Sequence, residues 1–300
     1  MHFVGPVDWS FVDQPVTSPT ASGLARAVLV AAPQGAVHTE LAAGCLVAGG
    51  WLQRHVHSFE EVLYVLEGEL LFELDGVAYR LRAGDYVFIP IGRWHALANG
   101  STGPIRWLSV NTPQRLGPDA GRRDTFFRDG TLDVPALAAA AVDPPFGQPT
   151  LRWVGHYPGT PPQAEALAVA DPAVGRRPAG MDTAILAYSG ISVKMLVDRY
   201  FGAELLTMFT VDYERNGAAQ VHDHPFEETY FFLDGEIQAV LDGREYTLRA
   251  GDVVFAGVGS THGFFNTGDG RVRWIETQAP QPPARHAYRW VDQWERFGSG

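Results

Sequence analysis

Three hundred residues, 46% of them hydrophobic and 19% charged, suffice for two domains of ordinary size with real cores, which excludes a chain too polar to fold. A formal net charge of −11 argues against a nucleic-acid partner or an anionic membrane surface. The lone cysteine, Cys45, excludes an intramolecular disulfide framework and reads as a small buried strand residue in a reducing compartment.

Taken in chain order, residues 1–21 lack both the basic and the apolar stretch of a signal peptide, and no segment is apolar enough to span a bilayer. A cytoplasmic protein is expected. This opening stretch carries Pro6, Trp9, Phe11, Pro15 and Pro19 and reads as an irregular arm whose aromatics dock on a barrel or a neighbouring subunit. Residues 22–112 are short β-runs broken by Gly, Asp and Pro, with an Asp75-Gly76 hairpin signal, which predicts an all-β barrel. Residues 113–180 turn rich in Pro, Ala and Gly. They predict an inter-domain connection with short helices around Pro135 to Ala141 and Pro162 to Ala170, long enough to cover a barrel mouth as a lid. From 181 to 280 the β pattern resumes. The tail, 281–300, holds Trp290 and Trp294 and is expected to pack across the first domain or a partner.

One stretch organises the chain. In His55-Val56-His57-Ser58-Phe59-Glu60-Glu61, residues of one parity share a face of a strand, so His55, His57 and Glu61 can converge, and His95 can join them from a neighbouring strand. The stretch recurs as His222-Asp223-His224-Pro225-Phe226-Glu227-Glu228 with His262 beyond; 222 less 55 and 262 less 95 both give 167. No insertion separates the copies from Gly50/Gly217 to Asn99/Asn266, so the chain holds two similar domains. Each donor set, three imidazoles and a carboxylate, suits a first-row transition metal.

These stretches resemble the two short motifs of the cupin superfamily, H-x-H-x3-E-x6-G and G-x5-P-x-G-x2-H-x3-N. Gly257 stands where the second copy would have proline. The resemblance implies a bicupin: two tandem jelly-roll barrels, each holding a divalent metal on His55, His57, Glu61 and His95 or on His222, His224, Glu228 and His262. Iron, manganese or nickel is expected, zinc is admissible, and up to two ions per chain fit. Cupins span many activities, so the resemblance fixes fold better than function.

The copies differ where specificity would lie. Running inward from Glu61 come Leu63 and Val65, with Leu97 beyond His95; the second copy has Tyr230, Phe232 and Phe264. Tyr230 and His38 are weak candidates for a general acid or base, and a packed core tyrosine is an equal reading of Tyr230. Glu60 and Glu227 have the wrong parity to face the metal and read as outer hydrogen-bonding residues. Arg54, Arg93, Arg215 and Arg249 read as solvated structural residues. Four protein ligands leave two positions on an octahedral ion. Expected first is a dioxygenase-type oxidation of a small, oxygen-bearing anionic or aromatic substrate, with dioxygen as co-substrate. Next comes non-redox Lewis-acid chemistry, in an isomerase, decarboxylase or hydrolase such as a ureidoglycine aminohydrolase-like enzyme. A non-catalytic binding protein is the third reading. A homodimer through exposed strands or swapped arms is expected.

Overall fold

The structure, a computed structural model, describes residues 1–116, 123–147, 151–157, 159, 188–282 and 289–290. It is built almost wholly of antiparallel strands gathered into two sheets, each curled around its own core. No helix among the described residues is long and apolar enough to cross a membrane.

The repeat seen in the sequence extends further in the structure. The strands Ala21–Val30, Glu60–Glu67, Glu69–Leu74, Val77–Arg82, Asp85–Ile89, His95–Ala98 and Ile105–Thr112 recur, each displaced by the same 167 positions. Their counterparts are Tyr188–Val197, Glu227–Asp234, Glu236–Leu241, Arg244–Arg249, Asp252–Ala256, His262–Phe265 and Val272–Ala279. The long strands that carry the His-x-His pairs are Glu40–His57 and Thr207–Asp223. Alternation explains the burial: Leu63 and Val65 meet Trp107 and Leu46 inside the first barrel, while Val62 and Tyr64 face the other way. At both hairpin tips, Asp75-Gly76 and Asp242-Gly243, consecutive residues take positive φ, the geometry of a tight two-residue β-turn for which Asp-Gly is suited.

The outward faces do not meet solvent. Val62, Tyr64, Phe88 and Val110 of the first barrel pack against Met208, Phe231, Phe255 and Ile275 of the second in one apolar cluster. Two carboxylates reach across this contact in opposite directions. Glu227 accepts from the backbone N–H groups of Val37, His38 and Thr39 at 2.6, 2.9 and 3.1 Å, and Glu60 accepts from those of Glu204 and Leu205 at 2.8 and 2.9 Å. Residues 37 and 38 correspond to 204 and 205 by the same displacement, so the two clasps are images of each other. Glu60 and Glu227 do turn away from the metal candidates, and what they hold is the opposite barrel.

Three segments depart from expectation. The N-terminal arm is not irregular throughout: His2–Pro6 is a strand that pairs with Asp252–Ala256 and finishes one edge of the second sheet. In the first sheet the matching edge, Asp85–Ile89, is finished by Val154–His156 from the connection. Covering such edges satisfies backbone groups that otherwise recruit foreign strands. The connection also returns Thr125–Phe127 alongside His55, Val56 and His57. Its expected first helix is Val134–Ala140, capped by Asp133, whose carboxylate accepts from Ala136 N–H. The second expected helix and Trp294 lie outside the described residues. The tail's strand Arg289–Trp290 pairs with His222 and Asp223 of the second barrel, not across the first.

Candidate metal centres

Strand pairing brings the predicted residues together. His55 sits opposite His95, and His222 opposite His262, on adjacent antiparallel strands. In the first barrel donor atoms of His57, Glu61 and His95 lie within 4.8 Å of one another; in the second those of His222, His224 and His262 do. His55 joins the first group with its ring centroid 3.9 Å from that of His95. Glu228 joins the second, its Oε2 at 2.9 Å from His224 Nε2 and 3.1 Å from His262 Nε2. Thus each barrel assembles three imidazoles and one carboxylate, all eight side chains lying in the barrels' interiors.

The orientation of the rings is fixed by the backbone. In all six histidines Nδ1 lies 2.7 to 2.9 Å from a carbonyl oxygen: those of Gln53, Phe59 and Arg93 in the first barrel, and of Gln220, Phe226 and Ser260 in the second. Nδ1–H donates there, so Nε2 is left as the lone-pair donor, the arrangement that metal-binding histidines use. Two rings are also stacked, His57 on Phe59 and His224 on Phe226, at 3.9 and 3.8 Å and nearly parallel. Nε2 of His95 is buried with no hydrogen-bond partner among the described residues. A buried polar atom left in this way, aimed at a carboxylate and at other Nε2 atoms, fits a divalent cation.

Electrostatics agree for three of the six rings, while at His262 the hydrogen bond and charge of Glu228 outweigh burial and raise the ring's pKa. Burial pushes His95 down to about 4 and His55 and His222 well below the usual imidazole range, so these rings are neutral at physiological pH. Burial alone would raise Glu61, but the hydrogen bond and charge of His57 and the charge of His95 outweigh it and hold the carboxyl well below its usual range. Glu228 is likewise held low by His224 and His262 against burial. Neutral imidazoles and an ionised carboxylate are the protonation states a divalent metal requires.

The side chains that hold the two carboxylates differ. Ser109 Oγ donates to Glu61 at 2.6 Å. At the equivalent place in the second barrel stands Glu276, which burial and the neighbouring Glu228 push well above the ordinary carboxyl range, and which accepts from Trp274 Nε1 at 2.9 Å. Gln278 Nε2 donates to Glu228 at 2.7 Å, and Tyr230 Oη donates to the same carboxylate. Tyr230 therefore steadies a candidate ligand while packing among Phe264 and Trp274. Leu63, Val65 and Leu97 lie in the first core, and Phe232 and Phe264 in the second. His38 offers its backbone to Glu227. The four arginines near the entrances are paired with carboxylates: Arg54 with Glu73, Arg93 with Asp75, Arg215 with Asp269 and Arg249 with Glu236. Sequence reasoning missed Ser109, Glu276 and Gln278. Their parity on Ile105–Thr112 and Val272–Ala279, two and four residues past Trp107 and Trp274, was the available signal.

Two barrels, each with an inward His-x-His pair, a carboxylate four residues on and a third His from the next strand, define the class: the chain belongs to the cupin superfamily. The family's cupin domain matches it twice, over residues 42–111 and 209–277. Among curated relatives, the tetracenomycin polyketide synthase protein TcmJ of Streptomyces glaucescens is 30% identical over 104 residues, 34% of this chain and 70% of that protein. Among solved structures, a variant of salicylate 1,2-dioxygenase from Pseudoaminobacter salicylatoxidans in complex with gentisate aligns with a TM-score of 0.66 and 14% identity, over 93% of this chain and 82% of that one. Oxalate decarboxylase of Bacillus subtilis aligns with a TM-score of 0.60 and 16% identity, over 98% and 80%. At such identities these structures speak for the two-barrel fold alone.

Proposed function

We propose that this protein is a metal-dependent bicupin enzyme acting on a small oxygen-bearing molecule, with oxidation by dioxygen as its leading reaction. The observation that carries the reading is the duplicated donor set, in which every imidazole has Nδ1 committed to a carbonyl and Nε2 left for a cation. A divalent ion held by His55, His57, Glu61 and His95, or by His222, His224, Glu228 and His262, would supply Lewis acidity and open positions for substrate and dioxygen. The chain's own residues do the rest. The ring-to-carbonyl bonds hold the imidazoles in one orientation, Ser109 or Tyr230 and Gln278 hold the carboxylate, and the aliphatic or aromatic floor excludes bulk water. The relatives in this fold include a dioxygenase and a decarboxylase, which supports a metalloenzyme in either mode.

Non-redox chemistry is the second reading, and Glu276 favours it: a protonated carboxyl beside Glu228 is a proton donor already inside the second barrel. The test is elemental analysis per chain of the purified protein and of His57→Ala and His224→Ala, followed by oxygen-uptake assays with enols and catechols. Each substitution should remove one metal equivalent. Metal content unchanged by both would end the metal assignment. Turnover that persists under argon would move the reaction to the second reading, and binding without turnover would make the chain a binding protein.

A further inference from the structure

The two barrels are unlike in one interior region that the metal ligands do not occupy. In the first, Ala21–Val30 pairs with Glu40–His57, so that Arg26 lies opposite Gly44 and Val28 opposite Ala42. Leu24, two residues earlier on the same face, packs against the barrel core, and the Arg26 guanidinium bonds Glu40. Glu40 in turn accepts from Asn111 Nδ2 at 3.0 Å. Asn111 Oδ1 lies 3.4 Å from the Ser109 hydroxyl, which donates to Glu61 at 2.6 Å. A continuous line of polar groups thus runs from the candidate ligand to a cation. Pairing sets Glu40 level with Asn111 and Asn111 level with Glu61, two strand spacings or about 10 Å across.

In the second barrel the same line is gone. Counterparts of Arg26, Glu40, Ala42 and Gly44 are Val193, Thr207, Phe209 and Val211, and the first, third and fourth of these pack into its core. Glu228 is correspondingly closed off, its side chain 3% exposed against 15% for Glu61. One half fills the region with aliphatic and phenyl side chains, while the other lays the Trp107 ring over Gly44 and sets a charge, Arg26, beside it.

Among the described residues Arg26 donates only to Glu40, leaving the rest of its five N–H donors for a ligand. A planar guanidinium steadied by a carboxylate on one edge presents its other edge as a fork for an oxyanion. Building on the metal-enzyme reading above, we propose that the first barrel is the substrate-binding centre and that Arg26 is its specificity-determining residue. It would bind the distal carboxylate of a small acid whose other end reaches the metal. The second barrel is then a closed centre that such an acid does not enter.

The test uses the full chain loaded with cobalt(II), whose visible absorption reports ligands at the metal. Probes are 2-oxo dicarboxylic acids of four to six carbons, each compared with the 2-oxo monocarboxylic acid of the same length. All chelate through the 2-oxo acid end and differ only in the distal carboxylate. At least one dicarboxylate is expected to bind on the order of tenfold more tightly than its partner. Arg26→Gln should bring that ratio to within about twofold with cobalt content unchanged. Arg26→Lys, which keeps the charge and loses the fork, should reduce it severalfold, and carries the test if the glutamine variant does not fold. His57→Ala should abolish the discrimination and His224→Ala leave it. The proposal is overturned if no length discriminates, if both Arg26 variants keep the wild-type ratio, or if the discrimination is lost with His224 rather than with His57. Failure of either barrel to bind cobalt would instead sink the metal reading on which it rests.

Discussion

Replacing Glu227 by alanine should cost stability at the contact between the barrels. Its carboxylate is the acceptor for three backbone N–H groups of the opposite half. Val37 is exposed, so water can replace the carboxylate there, but His38 is half-buried and Thr39 fully buried. A buried N–H left without a partner costs about 1–3 kcal/mol, so two of them give a loss of about 2–6 kcal/mol. Glu60→Ala releases the matching N–H groups of Glu204, exposed, Leu205, half-buried, and Leu206, buried, and should cost a similar amount on the same scale. Equilibrium urea unfolding at neutral pH measures both, with Glu245→Ala on an exposed strand as the reference. The double variant should be additive, since the two clasps share no residue. If either substitution is no more damaging than the Glu245 reference, the clasps do not join the barrels as described.

Further outcomes follow from other contacts. Tyr230→Phe removes one hydrogen bond to the carboxylate of Glu228 and should weaken metal binding in the second barrel about 10–100-fold, measured by competition with a chelator, while the first is untouched. Gly44→Ala would place a Cβ 2.3 Å from the Trp107 ring and should destabilise by about 1–3 kcal/mol, with a shift in tryptophan emission; unchanged stability would mean that the barrel wall yields there. For pH, His95 titrates near 4 in the folded protein against 6.5 in the unfolded chain. Between these values the unfolded chain binds a proton that the folded one refuses, so stability is full above 6.5, falls as pH drops toward 4 and levels off below it. At about 1.4 kcal/mol per pH unit this amounts to about 3 kcal/mol. Metal-free wild type should show at least this loss and His95→Asn a smaller one, since burial also holds His55 and His222 low; parallel urea midpoints of the two proteins across the range would refute it.

That the eight candidate residues gather into two clusters was legible in the sequence because every contribution to it is local or repeated: parity along one strand places His55 and His57, and a constant displacement marks the second copy. The third histidine needed only the motif and an adjacent strand. What escaped detection depends on pairing between distant strands. Arg26 and Glu40 meet because Ala21–Val30 lies against Glu40–His57, and Glu276 meets Glu228 because strand Val272–Ala279 lies against Glu227–Asp234. Neither pairing has a local signature. Glu60 and Glu227 could be assigned an outward face by parity alone, but that their partners are backbone groups of the other half is a property of the packed pair. His2–Pro6 is too short, and too marked by Gly5 and Pro6, to announce itself as a strand; it is one because the edge of Asp252–Ala256 offers it a ladder.

That last strand has a consequence for how the molecule is made. His2–Pro6 leaves the ribosome ahead of both barrels, and its partner follows about 250 residues later. At a synthesis rate of about 5–20 residues per second the segment waits on the order of ten seconds or more before anything exists for it to pair with. The sheet of the first barrel needs no strand from it, since its own matching edge is closed by Val154–His156 as soon as the connection has been made. Closure of the second sheet is therefore a late event that joins segments made about 250 residues apart. A fast-folding domain fused ahead of residue 2 would burden that step and no earlier one.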